Sequence, residues 1–449
     1  MVTDSKKLWQ SALDPTEKIK KVHLLGAAGV GMKALKFWLD NSGFEVTGTD
    51  DFYHEDWMLP NSEIPNADCL IVTSVIRSNH PHYIWAIKNQ IPIFHRAHFI
   101  KYLINNKSIC VSGTHGKTTT SALTSWILYN THLKSAFIIG DELKNLSTST
   151  LFRSDFDVCT IESDESDGSM QKLTGSINII TNIDEDHMDF YANVDELICS
   201  FQNFSQKCAR CIINYNLRDS IIGSNLVTFS LNNAQADFYA TNIIEYKNDT
   251  YFDLNGKLTL KNLRLNIIGL YNVENAIASI SAVFEFFQLF NISLNKLDQS
   301  IRKSLETFEG AKKRLDLYKI NNVTYVFDYA HHPTAIINVL NIFKKRYNKV
   351  YLIIEVHKYI RLKQYFMELI DILSQAYCVG ILPVHRVNEE TDEALEENFY
   401  DLLKQKTICK RIYDIQDIKS LTNEATSQDV ILFLGAGKIV KMFYELIKK

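Results

Sequence analysis

The sequence predicts an α/β fold with parallel sheets, and three observations support this prediction. Apolar, β-rich runs alternate with helical runs along the chain, which is the pattern of parallel strands joined by helices. Glycine is scarce, at 17 of 449 residues, so its clustering is informative. Seven glycines fall in three clusters, each directly after an apolar run, where a turn from strand to helix binds phosphate in nucleotide-binding folds. The clusters are Gly26/Gly29/Gly31, Gly113/Gly116 and Gly435/Gly437.

Length and composition limit the class of protein. A chain of 449 residues suggests two to four domains of about 100–200 residues each. Its 48 basic and 52 acidic residues give a formal net charge of −4, which argues against a general nucleic-acid binder. No apolar run approaches the roughly 18 residues of a membrane span, and the polar, lysine-rich start is unlike a signal peptide, so we expect a cytoplasmic protein with no membrane partner. The scattered cysteines, including the close pair Cys208 and Cys211, indicate free thiols rather than a zinc site.

Residues 19–50 are predicted to form a βαβ unit with a glycine-rich first turn. The glycine spacing departs from the strict G-x-G-x-x-G fingerprint, because Ala28 stands at a possible glycine position. Asp50 follows the turn by about 20 residues, where dinucleotide-binding folds place a ribose-binding acid. The unit is therefore a candidate nucleotide site. Its strand, helix and second strand are predicted at Ile19–Leu25, Val30–Asn41 and Phe44–Asp50.

The strongest motif is the loop Gly113–Thr120, with the sequence GTHGKTTT. A phosphate loop needs glycine so that backbone N–H groups approach the phosphates, a lysine to reach the β and γ oxygens, and a hydroxyl to hold Mg²⁺. Gly116, Lys117 and Thr118 supply these groups at the start of a helix, whose dipole favours anions. Val111 stands where the standard pattern has a glycine, so the loop is a variant. The strand is predicted at Ser108–Ser112, and the helix runs to Tyr129.

Two acid-rich segments follow the next buried strands. Ile161–Asp167 carries four acids within six residues, and a carboxylate beside a phosphate loop is where Mg²⁺ is held, so we expect Glu162 to be a metal ligand. Thr181–Asp189 contains His187 among acids, which could bind a second metal or a phosphate. Taken alone, each segment is equally compatible with an ordinary polar loop.

The last third of the chain resumes the strand–helix alternation near Lys313 and carries two further polar segments. Asp328–Pro333 contains adjacent histidines. Neighbouring side chains point in different directions, so a joint metal site is not expected, but one histidine could contact a phosphate or a reacting carboxylate. Val356–Arg361 places Lys358 and Arg361 three residues apart, on one face if helical, where they could clamp a carboxylate. A solvated basic surface is the alternative.

The order of the remaining predicted strands and helices indicates how the chain divides into domains. Residues 225–268 are β-rich, with short alternating runs. We predict three domains, with boundaries good to about ten residues, at 1–107, 108–312 and 313–449. Further strands are predicted at Ile177–Asn182, Arg210–Asn214, Val323–Phe327, Lys349–Ile354 and Asp429–Leu434, and further helices at Asn272–Phe290 and Pro333–Tyr347.

Taken together, these motifs resemble the Mur ligase family over nearly the whole chain. The resemblance implies a three-domain α/β architecture: a Rossmann-like N-terminal domain for a UDP-sugar, a central P-loop ATPase-type domain, and a Rossmann-like C-terminal domain for the amino acid. The sequence is most similar to ligases that add L-alanine to UDP-N-acetylmuramate, the first amino-acid addition in peptidoglycan precursor synthesis, with ATP and Mg²⁺. A monomer or weak homodimer is expected. The segments that carry the resemblance are Gly113–Thr120, Glu162–Gly168, Asn182–Asp189, Gly269–Ala276 and Asp328–Pro333.

The resemblance also implies roles for individual residues. The catalytic residues are Lys117, Glu162, His187 and His331, and the metal ligands are Thr118, Glu162 and His187. The ATP-binding residues are Gly113, Thr114, His115, Gly116, Lys117, Thr118 and Thr119, with Asn275 at the adenine and Arg314 and Asp328 reaching over from the third domain. The UDP-sugar-binding residues are Gly26, Gly29, Val30, Gly31, Asp50, Thr73 and Ser74. The amino-acid-binding residues are Tyr329, His357, Lys358 and Arg361.

The sequence departs from the family pattern at several positions. Tyr271 stands where a histidine is usual, and Phe327 replaces an acid usual before Asp328. Lys358 replaces an arginine, which removes bidentate recognition of a carboxylate. The carbamylated lysine of several related ligases has no clear counterpart in Asp195–Phe204. The alanine-adding ligases lack that lysine as well.

Three alternatives are open at this point. Within the family, the chain could add a tripeptide to the same UDP-sugar or perform another Mur step. It could instead be an ATP-binding sensor without ligase activity, although Glu162 and His187 exceed what binding alone requires. An NAD-dependent dehydrogenase built on the first βαβ unit would fit Asp50, but the phosphate loop would then have no purpose.

Overall fold

The computed structural model describes residues 19–448, apart from positions 52, 54, 61–62, 64, 75, 77, 105–106, 189 and 387–388. The polar start of the chain and Asp189, on which sequence predictions fall, lie outside the described residues. The chain divides into two compact units. The first runs to Ile244 and includes Asp249–Glu309, and the second comprises Glu245–Asn248 and the chain from Gly310 onward.

The first sheet has four parallel strands in the order β2-β1-β3-β4. The predicted βαβ unit is confirmed, and its helix α1 has the predicted bounds. Trp38 and Leu39 of that helix are fully buried, because apolar residues at three- and four-residue spacing face the sheet. In chain order the elements are β1 (Lys21–Leu25), α1 (Val30–Asn41), β2 (Glu45–Thr49), β3 (Cys69–Val72), α2 (Pro81–Lys88), β4 (Ile93–His95) and α3 (Arg96–Leu103).

The second sheet, also in the first unit, has ten strands in the order β14-β13-β12-β11-β10-β9-β5-β8-β6-β7. The strand that leads into the phosphate loop, β5, is buried along its whole length, as expected of a central parallel strand. The elements are β5 (Ser108–Ser112), α4 (Lys117–Tyr129), β6 (Ser135–Leu143), β7 (Thr148–Leu151), β8 (Val158–Glu162), α5 (Ser169–Lys172), β9 (Ile177–Ile180), α6 (Val194–Gln206), β10 (Arg210–Asn214), β11 (Leu226–Ser230), β12 (Phe238–Glu245), β13 (Thr250–Gly256), β14 (Leu260–Leu265), α7 (Leu270–Leu289) and α8 (Leu297–Thr307).

The third sheet, in the second unit, has six strands in the order β15-β16-β20-β17-β18-β19. Its central strands β17 and β20 are buried along their whole length. Helix α9 ends at Lys344, three residues earlier than the predicted end at Tyr347. The elements are β15 (Asp316–Ile320), β16 (Val323–Asp328), α9 (Pro333–Lys344), β17 (Val350–Ile354), α10 (Tyr359–Gln364), α11 (Phe366–Leu373), β18 (Cys378–Ile381), α12 (Glu393–Lys406), β19 (Ile408–Arg411), α13 (Ile415–Leu421), β20 (Val430–Leu434) and α14 (Lys438–Ile447).

The α/β fold class is confirmed, but the predicted parallel pairing does not extend to the sheet edges. The pairs β6/β7, β13/β14 and β15/β16 are antiparallel. The strands nearest the sheet edges are only half buried: β13 alternates buried and partly exposed positions, and β7 is partly exposed throughout. An antiparallel edge allows one face to meet water, whereas a parallel strand is covered on both faces.

The same arrangement of strands underlies each glycine cluster. β1 lies between β2 and β3, β5 between β8 and β9, and β20 between β16 and β17. In each triplet the strands are parallel, so the carboxyl ends of three neighbouring strands meet at one edge. Ligands bind at such an edge in open α/β sheets.

Two expectations concerning the chain as a whole can be compared with the structure. All eight cysteines are free, and Cys211 is fully buried. Burial raises the pKa of its thiol far above the usual value, which makes it unreactive. No helix in the described part of the chain is long and apolar enough to cross a membrane.

Candidate active site

The phosphate loop is a sharp turn that requires glycine at two positions. Gly113 (φ +129°) and Gly116 (φ +81°) have positive φ angles, which strain residues that carry a Cβ. A Cβ on Gly113 would overlap the side chain of Thr181, and one on Gly116 would lie 2.6 Å from Oδ1 of Asn275. Helix α4 begins directly after the loop, at Lys117. The loop and the first turn of α4 therefore form the anion-binding position of a helix N-terminus.

The segment after β9 holds this loop in place. The N–H of Thr114 donates to the carbonyl of Asn182 at 3.1 Å, and the N–H of His115 donates to Oδ1 of Asn182 at 2.8 Å. The hydroxyl of Thr181 donates to the carbonyl of His115 at 2.6 Å. Oγ1 of Thr114 accepts from the N–H of Asp184 at 2.9 Å. The start of this segment therefore supports the phosphate loop, a function that the sequence analysis missed.

Lys117 lies in a buried charge cluster with Glu165 and His187. Nζ of Lys117 is 2.9 Å from Oε1 and 2.8 Å from Oε2 of Glu165, whose side chain is fully buried. Nζ also donates to the carbonyl of Gly113 at 2.8 Å. Nε2 of His187 lies 3.4 Å from Oε1 of the same carboxylate. The structure thus connects two predicted catalytic residues through a glutamate that the sequence analysis did not select among the four acids of its segment.

Burial and the neighbouring charges shift the pKa values of Lys117 and Glu165 in opposite directions. Burial by itself lowers the pKa of Lys117, but the carboxylates of Glu165 and Asp164 outweigh burial and raise that pKa above its usual value. Burial raises the pKa of Glu165, and Lys117 offsets only part of the increase. Each partner therefore depends on the other, because either charge alone would be buried without compensation.

Thr118 and Glu162, both predicted to hold Mg²⁺, are adjacent in the structure. The hydroxyl of Thr118 donates to Oε1 of Glu162 at 3.2 Å. Oε2 of Glu162 accepts from the hydroxyl of Ser121 at 3.2 Å and from the N–H of Gly140 at 2.8 Å, which fixes the carboxylate. Hydroxyl and carboxylate oxygens are ligands that Mg²⁺ prefers, and this ion keeps several waters when one or two side chains bind it. These residues fit a magnesium ion beside the phosphate loop.

Asn275, predicted to contact adenine, lies near the start of α7 against the phosphate loop. Its Oδ1 accepts from the hydroxyl of Thr120 at 3.1 Å, and its Nδ2 donates to Oδ1 of Asn272 at 3.2 Å. Tyr271, the departure from the family pattern, is partly buried one turn earlier. Thr119 is buried within α4. The structure brings Asn275 to the phosphate loop, and its contact with adenine stays a prediction.

The first glycine loop, between β1 and α1, gathers the residues predicted to bind the UDP-sugar. Gly26 has a φ of +81°, and its N–H donates to the carbonyl of Thr49 at 2.9 Å. Oδ2 of Asp50 accepts from the N–H of Ala28 at 3.0 Å, so the predicted ribose-binding acid also supports the loop. A Cβ on Gly26 would lie 3.3 Å from Oγ1 of Thr73. The turn into α1 is formed by Gly29, Val30 and Gly31.

Arg96, the first residue of α3, lies on this loop, although the sequence analysis did not select it. A Cβ on Gly31 would overlap the guanidinium of Arg96. Nη2 of Arg96 is 3.5 Å from Oδ2 of Asp167. The hydroxyl of Ser74 donates to the carbonyl of Asp167 at 2.7 Å. The acid-rich segment after β8 therefore contacts Lys117 at the phosphate loop and also Ser74 and Arg96, which lie beside the first glycine loop.

In the second unit, Asp328 ends β16 and is buried. Its Oδ2 accepts from the N–H of Leu315 at 2.9 Å, and its Oδ1 accepts from the N–H of Ala330 at 2.8 Å. Burial raises the pKa of Asp328, and Arg314 offsets part of this effect. The guanidinium of Arg314 lies 4.9 Å from the ring centroid of Tyr329. These three predicted binding residues are therefore neighbours.

Three histidines line the same edge of the third sheet. The ring centroids of His331 and His357 are 5.3 Å apart, as are those of His357 and His385. Nη1 of Arg361 lies 3.1 Å from Nδ1 of His357. The structure thus clusters most of the predicted amino-acid-binding residues. His385 was missed, because it follows a different strand, β18, and no motif marked it.

The adjacent histidines diverge, as predicted. Nδ1 of His331 is 2.8 Å from the carbonyl of Tyr329, whereas Nδ1 of His332 accepts from the N–H of Thr334 at 3.4 Å and caps α9. In the next segment, a shared face for Lys358 and Arg361 was predicted only if both are helical, and the structure does not meet that condition.

Lys358 precedes α10 instead of belonging to it. Its φ is +71°, outside the helical region. Its N–H donates to the carbonyl of His385 at 2.9 Å, directly before the helix begins.

The backbone N–H groups at the third glycine cluster are paired with an internal anion. The buried carboxylate of Glu355 accepts from the N–H groups of Gly437 at 3.1 Å, Lys438 at 3.0 Å and Ile439 at 2.9 Å. The interpretation of Gly435/Gly437 as a phosphate-binding turn is therefore wrong, because a side chain of the protein itself occupies the anion position at this helix start.

A phosphate loop with an adjacent carboxylate and hydroxyl on an α/β sheet is typical of enzymes that bind nucleoside triphosphates. The comparisons with known proteins place the chain in the Mur ligase family. Residues 111–283 match the family model described as Mur ligase middle domain, and residues 313–437 match that described as Mur ligase, glutamate ligase domain. The protein is therefore an enzyme, a ligase that forms a carbon–nitrogen bond.

One relative and two solved structures illustrate which members of the family this chain is similar to. A protein of Clostridium tetani named UDP-N-acetylmuramate–L-alanine ligase is 30% identical over 460 residues, which cover 96% of this chain and 98% of the relative. The crystal structure of a UDP-N-acetylmuramate-alanine ligase from Thermotoga maritima has a TM-score of 0.78 at 21% identity and covers 95% of this chain and 98% of its own. A MurF ligase of the same organism, solved in complex with ADP, has a TM-score of 0.63 at 14% identity and covers 96% of each chain.

Proposed function

We propose that this chain joins L-alanine to the carboxylate of UDP-N-acetylmuramate and that ATP drives the reaction. The observation that carries this proposal is the likeness, at 30% identity over 96% of the chain, to a relative whose name states those two substrates. The phosphate loop beside a fitting magnesium position supports ATP as the energy source. The product would be the first amino-acid adduct in peptidoglycan precursor synthesis.

The chemistry requires activation of a poor acylating agent. A carboxylate cannot lose oxide, so an oxygen of the carboxylate first attacks the γ-phosphorus of ATP, the β–γ P–O bond breaks, and ADP leaves. The neutral amine of L-alanine then attacks the carbonyl carbon of the acyl phosphate. The C–O bond breaks, inorganic phosphate leaves with one oxygen of the original carboxylate, and the amine loses a proton.

The residues around the phosphate loop would stabilise the phosphoryl transfer. The ammonium of Lys117 would exchange Glu165 for the β and γ oxygens of ATP and offset the charge that develops there. Thr118, Glu162 and His187 would hold Mg²⁺, which when bound neutralises phosphate charge and orients the transferring group. Glu165, released from Lys117, would keep its contact with His187 and hold that imidazole in place.

The second unit would bind the incoming amino acid. His331, His357 and Arg361 would surround the amine and the carboxylate of alanine, with Arg361 held by His357 at 3.1 Å. Lys358 offers one ammonium where a guanidinium would offer two parallel N–H groups, so its hold on the alanine carboxylate is looser. Arg314 and Asp328 would contact the nucleotide, as the family resemblance implies.

The cellular setting follows from the substrates. UDP-N-acetylmuramate, L-alanine and ATP are soluble metabolites, so we propose a cytoplasmic enzyme. We also propose domain boundaries near residues 107 and 312, and a monomer or weak homodimer.

Phosphate release tests the proposal. Purified protein is given ATP and Mg²⁺, then UDP-N-acetylmuramate, and then single amino acids or a tripeptide in turn. Release that requires both UDP-N-acetylmuramate and L-alanine is expected. Release that requires the tripeptide would move the enzyme to another step of the family. ATP binding without release under any combination would favour the sensor and contradict the proposal.

A further inference from the structure

We propose that Arg96 is a further substrate-binding residue, which contacts the diphosphate of the UDP-sugar, and that Asp167 competes with that diphosphate for the guanidinium. This inference rests on the proposed function, because it concerns the same UDP-sugar site. It adds Arg96 to that site, although neither the glycine motif Gly26–Gly31 nor Asp50 points to this arginine.

The position of the guanidinium is the first observation. A Cβ on Gly31 would overlap Arg96, so the guanidinium lies directly on the first turn of α1. The N-cap of that helix, Gly29, provides no side-chain acceptor for the first N–H groups. A cation and the positive end of a helix dipole therefore meet at one point, and an anion placed there would gain from both.

The hydrogen-bonding capacity of Arg96 is the second observation. A guanidinium has five N–H donors. Among the described residues, its one polar partner is Asp167, whose Oδ2 lies 3.5 Å from Nη2. The side chain is only 23% exposed, so water reaches few of its donors. Phosphate oxygens match the planar fork of this group, and they would satisfy donors that Asp167 leaves unused.

The geometry of Asp167 explains why a diphosphate would displace it from Arg96. Its contact with Arg96 is long, and its own side chain is 26% exposed, so the carboxylate can turn to water. Partly exposed pairs of this kind contribute little to stability. A dianionic diphosphate that lies on the helix start offers more charge and better geometry than one distant carboxylate.

Binding of UDP, measured by titration calorimetry, tests the inference with opposite expectations for two variants. Arg96→Gln should raise the Kd for UDP by about 10- to 100-fold, because it removes charge-assisted hydrogen bonds. Asp167→Asn should lower that Kd by about two- to fivefold, because it removes the competing anion. The Kd for ADP should stay within twofold in both, which also shows that the protein is folded.

Arg218→Gln and Asp219→Asn are the matched controls, because these residues form a surface pair at 3.6 Å in the same unit. Neither should change UDP binding. Wild-type affinity for UDP in Arg96→Gln, weaker binding in Asp167→Asn, or no binding of UDP to the wild type would overturn the inference. An effect on UDP-N-acetylmuramate but not on UDP would place Arg96 at the sugar carboxylate and also overturn it.

The results of this binding experiment can be distinguished from those of the phosphate-release experiment that tests the proposed function. If UDP binds and responds to both variants while L-alanine supports no phosphate release, Arg96 is correctly assigned and the reaction is not. If the reaction proceeds and Arg96→Gln retains wild-type affinity for UDP, the reaction is correctly assigned and Arg96 is not.

Discussion

Replacement of Lys117 by alanine tests the buried ion pair and the phosphate loop together. It leaves the carboxylate of Glu165 buried without the cation that lies 2.8 Å away. Removal of one partner from a buried pair costs about 3–5 kcal/mol, and we expect the free energy of unfolding of K117A to fall by that amount. Lys134→Ala removes an exposed lysine from its pair with Asp155, and as the matched control it should cost less than about 1 kcal/mol.

A second substitution separates stability from catalysis. The double variant K117A/E165Q also removes the carboxylate that lies closest to the lost ammonium, so we expect about 1–2 kcal/mol of the lost free energy to return. Activity should not return, because the positive charge that meets the transferring phosphoryl group is still absent. Such a group contributes about 10³-fold or more to the rate.

Urea unfolding and phosphate release with both substrates measure the two effects. Equal stability of K117A and the wild type would refute the buried ion pair. Activity of the double variant within about tenfold of the wild type would refute the assignment of Lys117 to phosphoryl transfer.

Three other perturbations test separate parts of the structure. Lys358→Arg supplies a planar fork, so initial rates should give a KM for L-alanine about three- to tenfold lower with kcat unchanged; a higher KM would contradict the assignment. Glu355→Gln weakens the cap of α14 and should lower the free energy of unfolding by about 1–3 kcal/mol, seen as a lower urea midpoint. Burial lowers the pKa of His23 to about 3. Its protonation on unfolding should therefore remove about 2 kcal/mol of stability between pH 7.5 and pH 5, and His23→Asn should lose less over that range.

Features encoded by consecutive residues could be predicted from the sequence. The bounds of α1 were predicted at Val30–Asn41, and α4 begins at Lys117, because strand, glycine turn and helix follow each other without interruption. The proximity of Thr118 and Glu162 also follows from the sequence, since β5 and β8 are parallel and end at the same edge.

Contacts between distant segments could not be predicted. Glu165 is one of four acids in a short segment, and which of them turns toward Lys117 depends on the path of the chain after β8. Glu355 lies 82 residues before Gly437, so a glycine turn that resembles a phosphate site gave no sign of its internal anion. Arg96 reaches the first loop only through the packing of α3.

The central claim of this account is that ATP activates the sugar carboxylate by phosphoryl transfer. The most direct measurement labels both carboxylate oxygens of UDP-N-acetylmuramate with ¹⁸O and follows turnover with ATP, Mg²⁺ and L-alanine by mass spectrometry. The account predicts ADP and inorganic phosphate that carries one ¹⁸O atom for each amide formed. Unlabelled phosphate, or AMP with pyrophosphate, would contradict it.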